Sequence, residues 1–205
     1  MRIIYTQRYK EIATTAVETL EKASVSCQSI SPFEIARNLK IRIRKYSEIA
    51  PDDKAILLAM QKDGFSNLLI KDQFSTPIFY IWYNDEMPEE RVRWTIAHEI
   101  GHIMLGHLEE SQLAEAEADY FAGILLVAPI FKRVQKLTTI PDVQRIFGLN
   151  IEATTHTISR YKNRYMYGNI LKKSESRICQ VFCRDSHTNQ KGIQSDTDTP
   201  IPKTS

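Results

Sequence analysis

No apolar stretch in this 205-residue chain approaches the roughly 20 residues that a membrane helix requires, so a spanning segment is not expected. Residues 1–15 lack a basic stretch followed by an apolar core of about 7–15 residues, and export is not expected either. Cysteine is scarce. Cys27, Cys179 and Cys183 cannot build a disulfide framework without leaving one thiol over, and their sparsity fits a reducing compartment. Charge of one sign is lacking as well: 27 Lys and Arg stand against 25 Asp and Glu, a formal net charge of +2. Such a balance gives no general attraction to a polyanion or an anionic membrane. Internal repeats are absent. A cytoplasmic protein with a single sizeable core is expected, consistent with 42% hydrophobic and 25% charged residues.

Within that frame the apolar spacing marks out elements. Tyr9, Ile12, Ala13, Ala16, Val17 and Leu20 recur with helical period, giving an amphipathic first helix. Ser31-Pro32-Phe33-Glu34 opens a second one, with Ser31 as cap and Glu34 completing a capping box, ending near Asn38. Ile41, Ile43 and Lys45 alternate with Arg42 and Arg44 as a short strand whose basic face is expected to be solvated. Ala55–Gln61 and Phe65–Ile70 are expected to form a hairpin through Asp63-Gly64, with Pro77–Tyr83 as the third strand of a small sheet. A helix from Pro88 to about Leu108, and another capped by Ser111 and closed by Pro129, follow. Further helical pieces fall between Ile130 and Tyr167, and the tail is polar. The chain divides into an N-terminal helix (1–30), a core (31–129), a helical subdomain (130–170) and a disordered tail (171–205).

His98-Glu99-Ile100-Gly101-His102 lies inside the first of those later helices. Four residues of helical rise put the two imidazoles about 6 Å apart along one face, which suits two nitrogen ligands on one Zn²⁺. Glu99 flanks that face, where it can take a proton from a water acidified by the metal and pass it to a leaving amine. A catalytic zinc needs a third protein ligand and an open fourth position. A metzincin would place a third His where Leu108 stands and a Gly where Leu105 stands; His107 and Gly106 are each off by one. The next helix offers Glu115 and Asp119, one turn apart, as ligand and as acceptor for a ligating imidazole. Glu117 is the weaker ligand candidate, because it points roughly the opposite way and is expected to be solvated.

These residues, together with Leu105, His107, the run Glu115–Ala122, Leu125-Leu126 and Pro129, resemble the ImmA/IrrE family of metallopeptidases. The approach is similar too, with a strand at Ile78–Tyr83, a polar turn at Asn84-Asp85 and Arg93–Ala97 leading into the motif. The resemblance spans about residues 31–165. It implies an α+β, zincin-like fold: a small mixed sheet against the metal-motif helix and a glutamate-bearing second helix, followed by C-terminal helices. It further implies a cytoplasmic zinc endopeptidase that cleaves a protein substrate, a helix-turn-helix repressor above all. The family's metal ligands fall on His98, His102 and Glu115, with Glu99 as base. Asp119 stands where relatives often have Asn, and Val127-Ala128 replaces a common Met.

Charge is partitioned. Asp85–Asp119 holds ten acidic and two basic residues, Tyr120–Arg184 eleven basic and three acidic, and internal complementarity between the two is expected. Val143–Tyr161, with Arg160, Lys162 and Arg164, has the outline of a DNA-reading helix-turn-helix, but two packed helices with a Gly C-cap and an Asn N-cap are the expected reading. Direct nucleic-acid binding and a membrane are not expected. Cys179, Cys183 and His187 are read as ordinary side chains, and Tyr161, Tyr165 and Tyr167 as helix packing. His107, Tyr83, Tyr120 and His156 are equally available to stabilise an oxyanion. The alternative to a peptidase is a metal-binding regulatory module that acts by protein or DNA contact with little or no hydrolysis.

Overall fold

The structure is a computed structural model of the chain and describes residues 2–24, 30–59, 63–69, 77–127 and 139–162. Helix α1 (Arg2–Ala23) turns Ile12, Ala13, Ala16, Val17, Leu20 and Ala23 inward, each with about 1% or less of its surface exposed. Burying each larger aliphatic side chain in this stripe contributes about 1.5–3 kcal/mol, so α1 is a wall of the core. Helix α2 (Pro32–Asn38) begins as expected, but Ser31 makes no side-chain capping bond. The first turn is set instead by buried Pro32, whose fixed φ suits that position.

Strand β1 (Arg42–Lys45) leads through a short 3₁₀ turn (Tyr46–Glu48) into helix α3 (Pro51–Ala59). This corrects the sequence reading, which made Ala55–Gln61 a strand. The apolar run is too short for its period to decide between the two, whereas Pro51 with Asp52 and Asp53 supplies a helix start. Strands β2 (Gly64–Leu69) and β3 (Ile78–Tyr83) complete a three-stranded mixed sheet of order β1-β3-β2. β1 runs parallel to β3, pairing Arg42 with Tyr80, and β2 runs antiparallel to it, pairing Gly64 with Tyr83. On the basic face of β1, Arg42 lies 5.8 Å from the Tyr80 ring centroid and Arg44 meets Glu48.

Gly64 is present for a reason other than the left-handed turn expected of Asp63-Gly64. Its φ is not positive, but a Cβ there would lie 2.4 Å from Thr95 Cγ2 and 2.9 Å from the Trp82 carbonyl oxygen. Only glycine lets β2 lie this close to helix α4 (Glu89–Leu105). Pro88 precedes α4, Glu89 and Glu90 sit favourably in its first turn, and Gly106 at φ 70° stops it three residues earlier than expected. Helix α5 (Gln112–Val127) starts where Ser111 Oγ accepts from the Ala114 amide at 3.1 Å.

α4 and α5 approach closely at Gly101, where a Cβ would stand 3.1 Å from Phe121 Cδ1 and 3.2 Å from Ala118 Cα. Helices α6 (Ile140–Phe147) and α7 (Ile151–Lys162) follow, joined by left-handed Gly148 and by Asn150 Oδ1, which accepts from the Ala153 amide at 2.8 Å. One buried apolar cluster takes in Ile12 of α1, Ile81 of β3, Ile96 and Ile100 of α4, Phe121 and Leu125 of α5, and Phe147 and Ala153 of the last helices. Among the described residues no helix is long and apolar enough to cross a membrane. The expected tail, all three cysteines, His187, Arg164, Tyr165 and Tyr167 lie outside the described residues.

Gly101→Val puts an isopropyl group, a Cβ with two methyls, into the α4–α5 seam. It should destabilise the protein by about 1–3 kcal/mol in denaturant unfolding, and unchanged stability would contradict the close approach.

Candidate metal centre

Three side chains converge where α4 and α5 cross. His98 Nε2 and His102 Nε2 are 2.9 Å apart, His98 Nε2 lies 3.2 Å from Glu115 Oε2, and His102 Nε2 lies 3.4 Å from Glu115 Oε1. Helical spacing accounts for the two histidines, and the small residues Gly101 and Ala118 let α5 come near enough to present Glu115. Bonds of about 2.0–2.1 Å to a tetrahedral ion require donors roughly 3.3 Å from one another. The observed spacings bracket that value, so these three groups could hold a metal ion.

Around them the hydrogen bonds are directional. His98 Nδ1–H donates to Asp119 Oδ1 at 2.9 Å, as a carboxylate that orients a ligand would. The two imidazoles are nearly buried, while Glu115 and Asp119 are about half exposed on the cleft side. Glu99 is 7% exposed and borders a cleft of about 710 Å³, which Gly64, Phe65, Trp94, Thr95 and Glu110 also line. Below it, Tyr46 is fully buried and its hydroxyl has no hydrogen-bond partner among the described residues. Burial, with Glu99 and Asp63 nearby, pushes its phenol up to about 12, so it stays protonated.

Glu117 is not solvated, contrary to the sequence reading. It is 6% exposed, and its carboxylate accepts from Arg8 Nε at 2.8 Å and Arg8 Nη2 at 2.5 Å. The Arg8 guanidinium, and then the bond from His107, hold it below the usual carboxylate range against the opposing effect of burial. The side of α5 away from the metal ligands faces α1 rather than water, and alternation along α5 alone cannot reveal that.

His107 is the residue whose role the sequence left open. Gly106 turns the chain so that the His107 amide donates to the His102 carbonyl at 3.0 Å and the Gly106 amide to Ile103 at 3.3 Å, a Schellman ending. Such an ending brings together the side chains at positions 102 and 107, normally as an apolar contact. Here the pair is two imidazoles, with His107 Nδ1 3.0 Å from His102 Nδ1 and His107 Nε2 3.1 Å from Glu117 Oε2. Both ring nitrogens are engaged, which leaves neither for an oxyanion. Tyr83 and Tyr120 do not line the cleft; Tyr83 packs on Phe33, and Tyr120 on Tyr9. The side chain of His156 lies outside the described residues. The Gly-His pair after the second motif histidine was the signal available for His107.

Residues 59–159 match the Peptidase_M78 family model, described as the IrrE N-terminal-like domain. No curated protein and no solved structure matches the chain.

The two histidines differ in their affinity for protons. Burial lowers His98, but the bond to Asp119 and the charges of Glu99, Asp119 and Glu115 outweigh it and raise the group above 6.5. Burial, with His98 and His107 adjacent, takes His102 down to about 4. In metal-free protein His98 therefore protonates first as pH falls, and a proton there competes with metal. Metal affinity should begin to fall above pH 6.5 and then drop about tenfold per unit. Apparent dissociation constants measured from pH 8 to pH 5 check this, and a flat profile down to pH 5 would contradict it.

Proposed function

The chain belongs, through residues 59–159, to the ImmA/IrrE family of peptidases, and from that premise we propose that it is a zinc-dependent endopeptidase of the gluzincin type. Its peptidase core is taken as residues 31–129. The observation that carries this reading is the convergence of His98, His102 and Glu115, all three donor atoms within 4.8 Å, beside a buried Glu99 on an open cleft.

His98, His102 and Glu115 would hold the zinc. When bound, it supplies a Lewis acid for the scissile carbonyl and lowers the pKa of a water to about 7. Glu99 takes the proton from the attacking water and returns it to the departing amine. Asp119 keeps the proton of His98 on Nδ1, so that Nε2 stays free to ligate. Strand β2 has no strand partner other than β3 among the described residues, and Gly64, Phe65 and Ser66 line the cleft. An extended polypeptide can add along that edge through backbone hydrogen bonds, which suits an endopeptidase acting on an unfolded or exposed segment. The family resemblance supports a DNA-binding repressor of the helix-turn-helix class as substrate, in the cytoplasm.

Glu99→Gln keeps the shape of the side chain but cannot take the proton. It should retain stoichiometric zinc by elemental analysis while peptide hydrolysis falls about 10²–10⁴-fold. Cleavage at the wild-type rate by this variant would remove Glu99 from the mechanism. Glu115→Ala should lose zinc outright, and Asp119→Ala should weaken its binding about 10–100-fold. Wild-type protein that carries no zinc and ignores chelators would overturn the proposal. Co-incubation with a repressor encoded beside the gene, with Glu99→Gln as control, tests the substrate.

A further inference from the structure

The carboxylate of Glu117 can only accept, so the hydrogen of His107 that meets it must sit on Nε2, 3.1 Å away. A neutral His107 then has a lone pair on Nδ1, and the group 3.0 Å from that lone pair, His102 Nδ1, must carry a hydrogen. With Nδ1 protonated, the lone pair of neutral His102 is on Nε2, which faces His98 Nε2 and Glu115. With both imidazoles neutral, each step follows from the one outside it. The outermost step is Arg8, which grips both oxygens of Glu117 and so fixes the plane of that carboxylate.

We propose that Arg8, Glu117 and His107 are positioning residues for His102, a relay through which helix α1 sets the tautomer and the aim of one metal ligand. It rests on the zinc reading above and extends it from His98, which Asp119 orients, to the second histidine. Arg8 lies outside the matched residues 59–159, so support for the metal comes from a helix beyond that domain. His107 and Glu117 are about nine-tenths buried and Arg8 is roughly two-fifths exposed, so the inner links are shielded from competing water.

The test is zinc affinity together with tautomer state, neither of which depends on hydrolysis. In zinc-loaded wild-type protein, long-range nitrogen–proton NMR should show His107 protonated on Nε2 and His102 on Nδ1. Glu117→Gln and His107→Phe should weaken zinc binding about 10–100-fold, the range for removing such an outer partner. His107→Gln, which can still offer an acceptor and a donor, should recover part of the loss. Arg8→Ala should cost a few-fold. Wild-type protein that binds zinc while His107 carries its proton on Nδ1, or while Glu117→Gln and His107→Phe bind as tightly as wild type, overturns the relay alone. Wild-type protein that binds no zinc overturns both readings.

Discussion

Everything at the site depends on how closely α4 and α5 can pack. Three donor atoms on two helices meet only if the helix axes approach past the side chains between them, and at the crossing point those are Gly101 and the alanine Ala118. A larger residue at either would push Glu115 away from the two histidines, so the glycine inside the metal motif is a packing requirement as much as a sequence signature. Gly64 acts likewise on the other flank of α4, where β2 presses against Thr95 beside Glu99. The helix with the reactive groups is thus held from two sides by close contacts, one that excludes a Cβ at Gly64 and one that would crowd it at Gly101.

A helix held this tightly buries polar groups, and an unpaired buried polar group costs about 1–3 kcal/mol. The solution is an ordered set of bonds. His98 has Asp119, His102 has His107, and His107 has Glu117 with Arg8 behind it. Because each link has a fixed direction, the network that satisfies the buried groups also leaves the two Nε2 atoms facing each other and Glu115. Polar satisfaction and readiness for a cation are here one property.

Much of this was legible in the sequence where the physics is local. The spacing of His98 and His102, the step from Glu115 to Asp119 and the stripe from Ile12 to Leu20 all follow from helical period. What escaped is non-local. Ala55–Gln61 was read as a strand because a short apolar run fits either period, and Asp63-Gly64 was read as a turn because nothing local announces Thr95. Glu117 looked solvated because its partner Arg8 is 109 residues away, and no periodicity along α5 encodes that distance.

The charge pattern bears on function. The acidic run from Asp85 to Asp119 was expected to be answered by the basic stretch that follows it, whose basic side chains, Arg145 apart, lie outside the described residues. Among the described residues, cations from upstream meet it: Arg8 meets Glu117 and Lys54 meets Glu86 at 2.6 Å, while Arg91, inside the run, is tied to Asp63 outside it. The cleft is lined by Asp63, Glu99, Glu109, Glu110, Glu115 and Asp119, and its one arginine among the lining residues, Arg91, is engaged by Asp63. A phosphate backbone brought to that surface would meet carboxylates at short range, not the cations that displace its counter-ions. A metal cation and the neutral backbone of a peptide meet no such penalty, and the electrostatics of the cleft therefore favour the hydrolase over the nucleic-acid reader independently of the family match.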